Sequence, residues 1–224
     1  MSVFDRTFER KPMRAPETAH KRTPGFDSKR VHLLDAAARV FSEVGYDRAS
    51  MRRIAAEARV SLPAIYHYVA GKKELLYWIQ SHTFESLLRG LRSSLEGVVD
   101  PRQRLGAAVR NHVRHFGENM HELKVCAREL ETLEDEAYDE VHEHRRSYFE
   151  AVHALVKELQ PTHGAPLSSW LATANLFGML NWFYQWYDAE RSRVSLEDLA
   201  AQQTALFLDG YVASTSGVGD GGSE

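Results

Sequence analysis

Residues 50–76 read SMRRIAAEARVSLPAIYHYVAGKKELL. At two places in this stretch a small hydroxyl side chain stands where a helix would begin. Ser50 precedes MRRIA and Ser61 precedes LPAIY, and a serine oxygen can accept from a free amide of the first turn. Pro63 fits only an opening turn, because its ring fixes φ and removes a donor. Ile54, Ala55 and Ala58 give the first short helix its apolar side. The chain must then turn near Arg59 and Val60, ahead of a second helix from Leu62 to about Val69. Two short helices joined by so tight a turn have helix-turn-helix geometry, in which the second helix enters the DNA major groove.

Ile65 and Val69 are expected to point inward, leaving Pro63, Ala64, Tyr66 and His67 to face outward or sideways. Tyr68 either joins that outer face or packs on a neighbouring helix. Short side chains let the backbone approach base edges, and Tyr66 and His67 can donate to bases or phosphates. The stretch also gathers Arg52, Arg53, Arg59, Lys72 and Lys73 against only Glu57 and Glu74. Arg52, Arg53, Lys72 and Lys73 flank the outer face as phosphate anchors. The candidate DNA-contacting residues are therefore Ser50, Arg52, Arg53, Ser61, Pro63, Ala64, Tyr66, His67 and Lys72.

Outward from this motif, apolar residues recur at helical spacing and almost nowhere alternate as in a strand, so the chain is expected to be all-α. Val31, Leu34, Ala37, Phe41 and Val44 form the stripe of a first helix, which Gly45 can close in the left-handed conformation. A fourth helix opens at Lys72 or Lys73 and buries Leu75, Leu76, Ile79, Leu87, Leu88, Leu91 and Leu95. Further helices are expected over Pro101–Phe116, Met120–Leu130 and Asp135–Leu159. The last of these turns Tyr138, Val141, Tyr148, Val152, Leu155 and Leu159 inward, and PTHGAP at 161–166 ends it. Two more follow at about Leu167–Tyr187 and Leu196–Val212. Residues 1–27 read as a flexible basic arm and 214–224 as a disordered Gly/Ser-rich tail, with a three-helix DNA-binding domain at 28–75 and a second helical domain at 76–213.

The charge divides along the same line. Up to Leu75 there are 15 Lys and Arg against 9 Asp and Glu, and after it 13 against 22. A positive head on a negative body suits a polyanion partner for the head and another task for the body. The single cysteine, Cys126, allows no intrachain disulfide, and no stretch has the length or apolarity of a membrane span or signal peptide. A cytoplasmic location, without membrane association, is the expectation.

The segment LLDAAARVFSEVGYDRASMRRIAAEARVSLPAIYHYVAGKKELL, Leu33 to Leu76, resembles the DNA-binding head of the tetracycline-repressor (TetR) family of bacterial transcriptional regulators. Two positions depart from the family pattern. Arg59 stands where the family usually has a turn glycine, which implies an altered turn, and Val69 replaces the usual phenylalanine, which implies thinner packing between the third and fourth helices.

The resemblance implies that the acidic body holds an effector pocket and a homodimer interface. The dimer would set two recognition helices about 34–36 Å apart, on successive major-groove faces of a palindromic operator. A ligand that changes this separation then weakens DNA binding by population shift. The last two helices are the expected dimer pair. The stretches RRSYFEAV, NWFYQWYD and SLEDLAAQQTALFLDGY also resemble the C-terminal part of relatives that respond to fatty acyl-CoA or related thioesters. The implied effector is a small hydrophobic molecule, an acyl-CoA or a generic aromatic or drug-like hydrophobe.

The effector-site candidates are Phe116, Arg128, Arg145, Tyr148, Phe177, Asn181, Trp182 and Trp186. The aromatics at 177–187 serve either as core and interface or as a cavity wall. Arg114, Arg128, Arg145 and Arg146 serve either an anionic head group or ordinary surface ion pairs.

Nothing in the sequence assembles an enzyme: it has no Gly-rich phosphate loop and no nucleophile elbow, and Cys126 sits in a helical run as a buried thiol. No cofactor is expected. His112 and His115, with His121, His142 and His144, make only a weak case for a metal, lacking a cysteine pair or fixed carboxylate.

Overall fold

A computed structural model describes residues 24–159 and 168–213. Its helices are α1 (Pro24–Val44), α2 (Met51–Glu57), α3 (Leu62–Tyr66), α4 (Lys72–Ser94), α5 (Pro101–Glu118), α6 (Met120–Arg128), α7 (Asp135–Glu158), α8 (Ser169–Trp182) and α9 (Leu196–Ala213). Short 3-10 turns occupy Leu130–Thr132 and Phe183–Gln185. Among the described residues there is no strand.

The head is α1 to α3 with the start of α4. Gly45 closes α1 at φ +78°, and its amide donates to the Phe41 carbonyl at 2.9 Å. The Ser50 hydroxyl accepts from the Arg53 amide at 3.2 Å, and that of Ser61 from the Ala64 amide at 3.3 Å. Between the two caps Arg59 stands at φ +54°, in the left-handed region. The turn thus keeps the backbone of a glycine turn, and the arginine adopts it. Phe41, Ile54, Ile65 and Val69 are buried together with Leu75 and Leu76 of α4. Val69 is 3% exposed within this core.

Several expected boundaries and faces are corrected. α1 starts at Pro24, inside the segment read as an arm. Val31 is 54% exposed, because the buried face of α1 runs through Leu33, Leu34, Ala37, Val40 and Phe41. α3 ends at Tyr66, with His67 as its C-cap. α8 ends at Trp182, where the chain tightens into the 3-10 turn. On α4 Leu88 is only half-buried, and Leu95 beyond its end likewise. Residues 1–23, the PTHGAP segment and the tail from 214 lie outside the described residues.

The body is a bundle in which α4 and α5 pack on α7, α9 packs along α5, and α8 packs on α7. Head and body meet where α1 lies on α6. Glu129, at the end of α6, accepts from the Tyr46 amide at 3.1 Å through Oε1, and its carbonyl accepts from the Gln80 side chain at 3.2 Å. Lys73 and Glu134 form an ion pair at 2.9 Å across the same seam.

Candidate DNA-reading head and effector cavity

The capped turn delivers α3 with its outer face bare. Tyr66 is 53% exposed. Pro63 and His67 are also exposed, whereas Ala64 and Tyr68 are half-buried and Tyr68 packs against the core. Arg52 is exposed and makes no ion pair among the described residues. Arg53 lies 2.9 Å from Glu43, both half in water, a geometry worth only a few tenths of a kcal/mol to about 1 kcal/mol. Ser50 and Ser61 spend their oxygens on capping, at the two helix starts that aim the motif.

Lys72 does not stand free at this face. Its ammonium donates to the carbonyls of Tyr46 at 2.7 Å, Asp47 at 3.1 Å and Ala49 at 3.3 Å, and lies 4.3 Å from the centroid of the Tyr46 ring. Three protons meet three acceptors, so the lysine pins the α1–α2 loop to the first turn of α4. Lys73 is engaged with Glu134.

In the body, α4 to α8 surround a cavity of about 460 Å³. Six of the eight effector-site candidates line it: Phe116, Arg145, Tyr148, Phe177, Asn181 and Trp182. Two do not. Arg128 is exposed, its guanidinium 5.4 Å from the ring of Tyr184, a residue of the cavity wall. Trp186 is turned to the outside, into an open apolar groove between α8 and α9. Phe84, His112, Cys126 and Phe149 also line the cavity and were not anticipated there. Phe84 follows Leu76 and Gln80 at four-residue steps on α4, a spacing that could have revealed it. His112 has the spacing of a metal ligand and the surroundings of a core histidine.

The wall is an aromatic lattice. Phe177 meets His112 at 5.7 Å, Tyr148 at 5.7 Å and Phe149 at 5.5 Å between ring centroids. His112 is 2% exposed, and its Nδ1 lies 3.2 Å from the Tyr148 hydroxyl. Burial, with a contribution from nearby His115, pushes the His112 pKa down to about 3, so the ring is neutral. Asn181 and the Leu180 backbone lie near it, yet Nε2 closes no hydrogen bond among the described residues. Burial raises the Tyr148 hydroxyl. Burial also lifts the Cys126 thiol to about 12, leaving it protonated and inert.

Arg145 differs from the other candidate arginines. Arg114 lies 3.9 Å from Glu197, and Arg146 pairs with Glu143 and Glu150 on the surface. Arg145 faces the cavity, its guanidinium 5.5 Å from the Phe84 ring, and has no carboxylate at ion-pair distance among the described residues. Burial lowers its pKa, although a guanidinium stays charged at any working pH. Among the described residues no group of three or more His, Cys, Asp or Glu side chains is arranged to hold a metal ion. No described helix is long and apolar enough to cross a membrane.

A family model described as "Tetracyclin repressor-like, C-terminal domain" matches residues 98–211, about half of the chain. A second, "Bacterial regulatory proteins, tetR family", matches residues 33–77. The HTH-type transcriptional activator FasR of Mycolicibacterium smegmatis is 37% identical over 111 residues, which cover 49% of this chain and 51% of FasR. The chain spans about half or less of the length of the curated relatives that it matches. A TetR-family regulator from Bordetella parapertussis has the same fold at TM-score 0.75 and 28% identity, over 82% of this chain and 96% of its own. AibR, solved with isovaleryl coenzyme A and operator DNA, superposes at TM-score 0.69 and 21% identity, over 80% of this chain and 97% of its own. The chain, with its helix-turn-helix head and helical body, belongs to the TetR family of transcriptional regulators.

Proposed function

We propose that this chain is a ligand-responsive repressor that binds a palindromic operator as a homodimer through α3 and is released when a small hydrophobic effector enters the cavity. One observation carries the reading. Phe84 lines the cavity and Lys72 pins the head, and both belong to α4, which runs unbroken between them. Their separation of twelve residues is roughly 18 Å of helix. A ligand that displaces the Phe84 wall tilts the same rod that holds the α1–α2 loop, which changes the reach between two heads. The exposed apolar groove of α8 and α9, with Leu171, Trp182, Trp186 and Leu206, supports the dimer.

An acyl-CoA is the effector class favoured by the C-terminal resemblance, and AibR carries isovaleryl coenzyme A on this fold. A generic hydrophobe is the alternative. FasR is an activator by name, which supports a second reading in which this chain activates transcription.

Fluorescence anisotropy of a selected operator duplex, titrated with CoA thioesters and uncharged hydrophobes, tests the proposal. Release by a compound that also binds the protein supports it. A complex that every cavity-binding compound leaves intact, or tightens, contradicts it.

A further inference from the structure

Arg145 is the one cation among the described residues that lines the cavity. It sits over the face of Phe84 with no carboxylate at ion-pair distance among the described residues, and the Glu131 charge acts on it only from farther off. Arg145 is half-buried, and a partly desolvated ion without a close partner carries a penalty that an incoming anion relieves. The planar guanidinium fork matches a pair of carboxylate or phosphate oxygens. Nothing else in the wall competes for it. The Cys126 thiol stays protonated, Glu122 accepts from the Thr83 hydroxyl at 2.9 Å, and Glu131 lies beyond ion-pair distance of Arg145. His112, fully buried, keeps an Nε2 without a closed hydrogen bond in the same cavity. Phe116, Leu123 and Phe177 offer apolar contact, and Asn181 and Tyr148 add uncharged polar groups to the wall.

We propose that the effector is an amphiphile carrying an anionic group, which seats its anion on Arg145 inside the cavity and lays its apolar body against Phe116 and Phe177. The inference rests on the cavity being the effector site. A free carboxylic acid and the phosphate of a CoA thioester share this chemistry.

Isothermal titration of the full chain with dodecanoate, dodecanoyl-CoA and dodecanol distinguishes the sources. The expected result is binding of dodecanoate or of dodecanoyl-CoA at least tenfold tighter than dodecanol. Preference for dodecanoate marks the free acid, and preference for dodecanoyl-CoA marks the thioester. In Arg145→Leu the anionic compound falls to the level of the alcohol, and in Arg145→Lys the preference is partly restored. Arg145→Gln replaces the leucine variant if that one does not fold, as judged by its melting curve. Equal binding of the three compounds, binding of none, or an anion preference untouched by Arg145→Leu or Arg145→Gln overturns the proposal. Operator binding by the unliganded protein, measured alongside, stands or falls separately, so a failed effector assignment is distinguishable from a failed regulator assignment.

Discussion

The Ser42 hydroxyl lies 2.7 Å from Nδ1 of His121 and donates its own proton to the Arg39 carbonyl at 2.8 Å. With the Ser42 proton on the Arg39 carbonyl, the imidazole donates to Ser42 from Nδ1, and the contact joins α1 of the head to α6 of the body. A double-mutant cycle of Ser42→Ala and His121→Ala, followed by urea denaturation, is expected to give a coupling of about 0.5–1.5 kcal/mol. Strictly additive effects would mean that the bond contributes nothing to holding head and body together.

Arg59 occupies the left-handed region at φ +54°, where a side chain costs about 1–2 kcal/mol and glycine almost nothing. Glycine loses more backbone entropy on folding, which offsets part of that gain. Arg59→Gly is expected to stabilise the protein by about 0.5–1 kcal/mol, read as a higher melting temperature. A lower one would show that the arginine side chain earns its place through contacts of its own.

Lys72 holds three carbonyls. Hydrogen bonds to charged groups contribute roughly 1.5–3 kcal/mol, so Lys72→Met is expected to lower stability by about that much and to loosen the head. If the lysine serves DNA phosphates instead, the variant keeps its melting temperature and loses only operator affinity.

This residue also marks the boundary of what the sequence reveals. Ser50, Ser61 and Gly45 are legible because capping and left-handed closure depend on residues a few positions apart. The Lys72 staple is not, because its acceptors are carbonyls of a loop more than twenty residues away, which any sequence would supply. Phe116, Tyr148, Phe177 and Trp182 could be marked as large aromatics on facing helices. Whether each looks into the cavity or out of the bundle depends on how the helices pack, and the 3-10 turn after Trp182 sends Trp186 outside. Arg145 and Arg146 are adjacent in sequence and one helical step apart in direction. Only packing separates the cavity arginine from the surface one.

His112 is held neutral with a pKa of about 3 in the fold, against about 6.5 in the unfolded chain. The unfolded state thus takes up a proton first as the pH falls. The stability tied to this histidine is fully present above about pH 6.5 and is lost between there and about pH 3. Between pH 6.5 and 5 the expected loss is about 2 kcal/mol. Urea denaturation of the wild type beside His112→Gln checks this, since the variant lacks that part of the slope. Identical pH profiles would contradict the buried, neutral assignment.

The head's outer face carries the whole account, and one measurement tests it most directly: the affinity of wild type and a Tyr66→Ala, Arg52→Ala variant for an operator selected from random duplexes, as salt is raised. Tyr66 at the groove and Arg52 at the backbone predict tenfold or greater weakening in the variant and a shallower salt dependence, with the melting temperature unchanged. Equal affinity and equal salt slope in the two proteins would contradict α3 as the element that reads DNA.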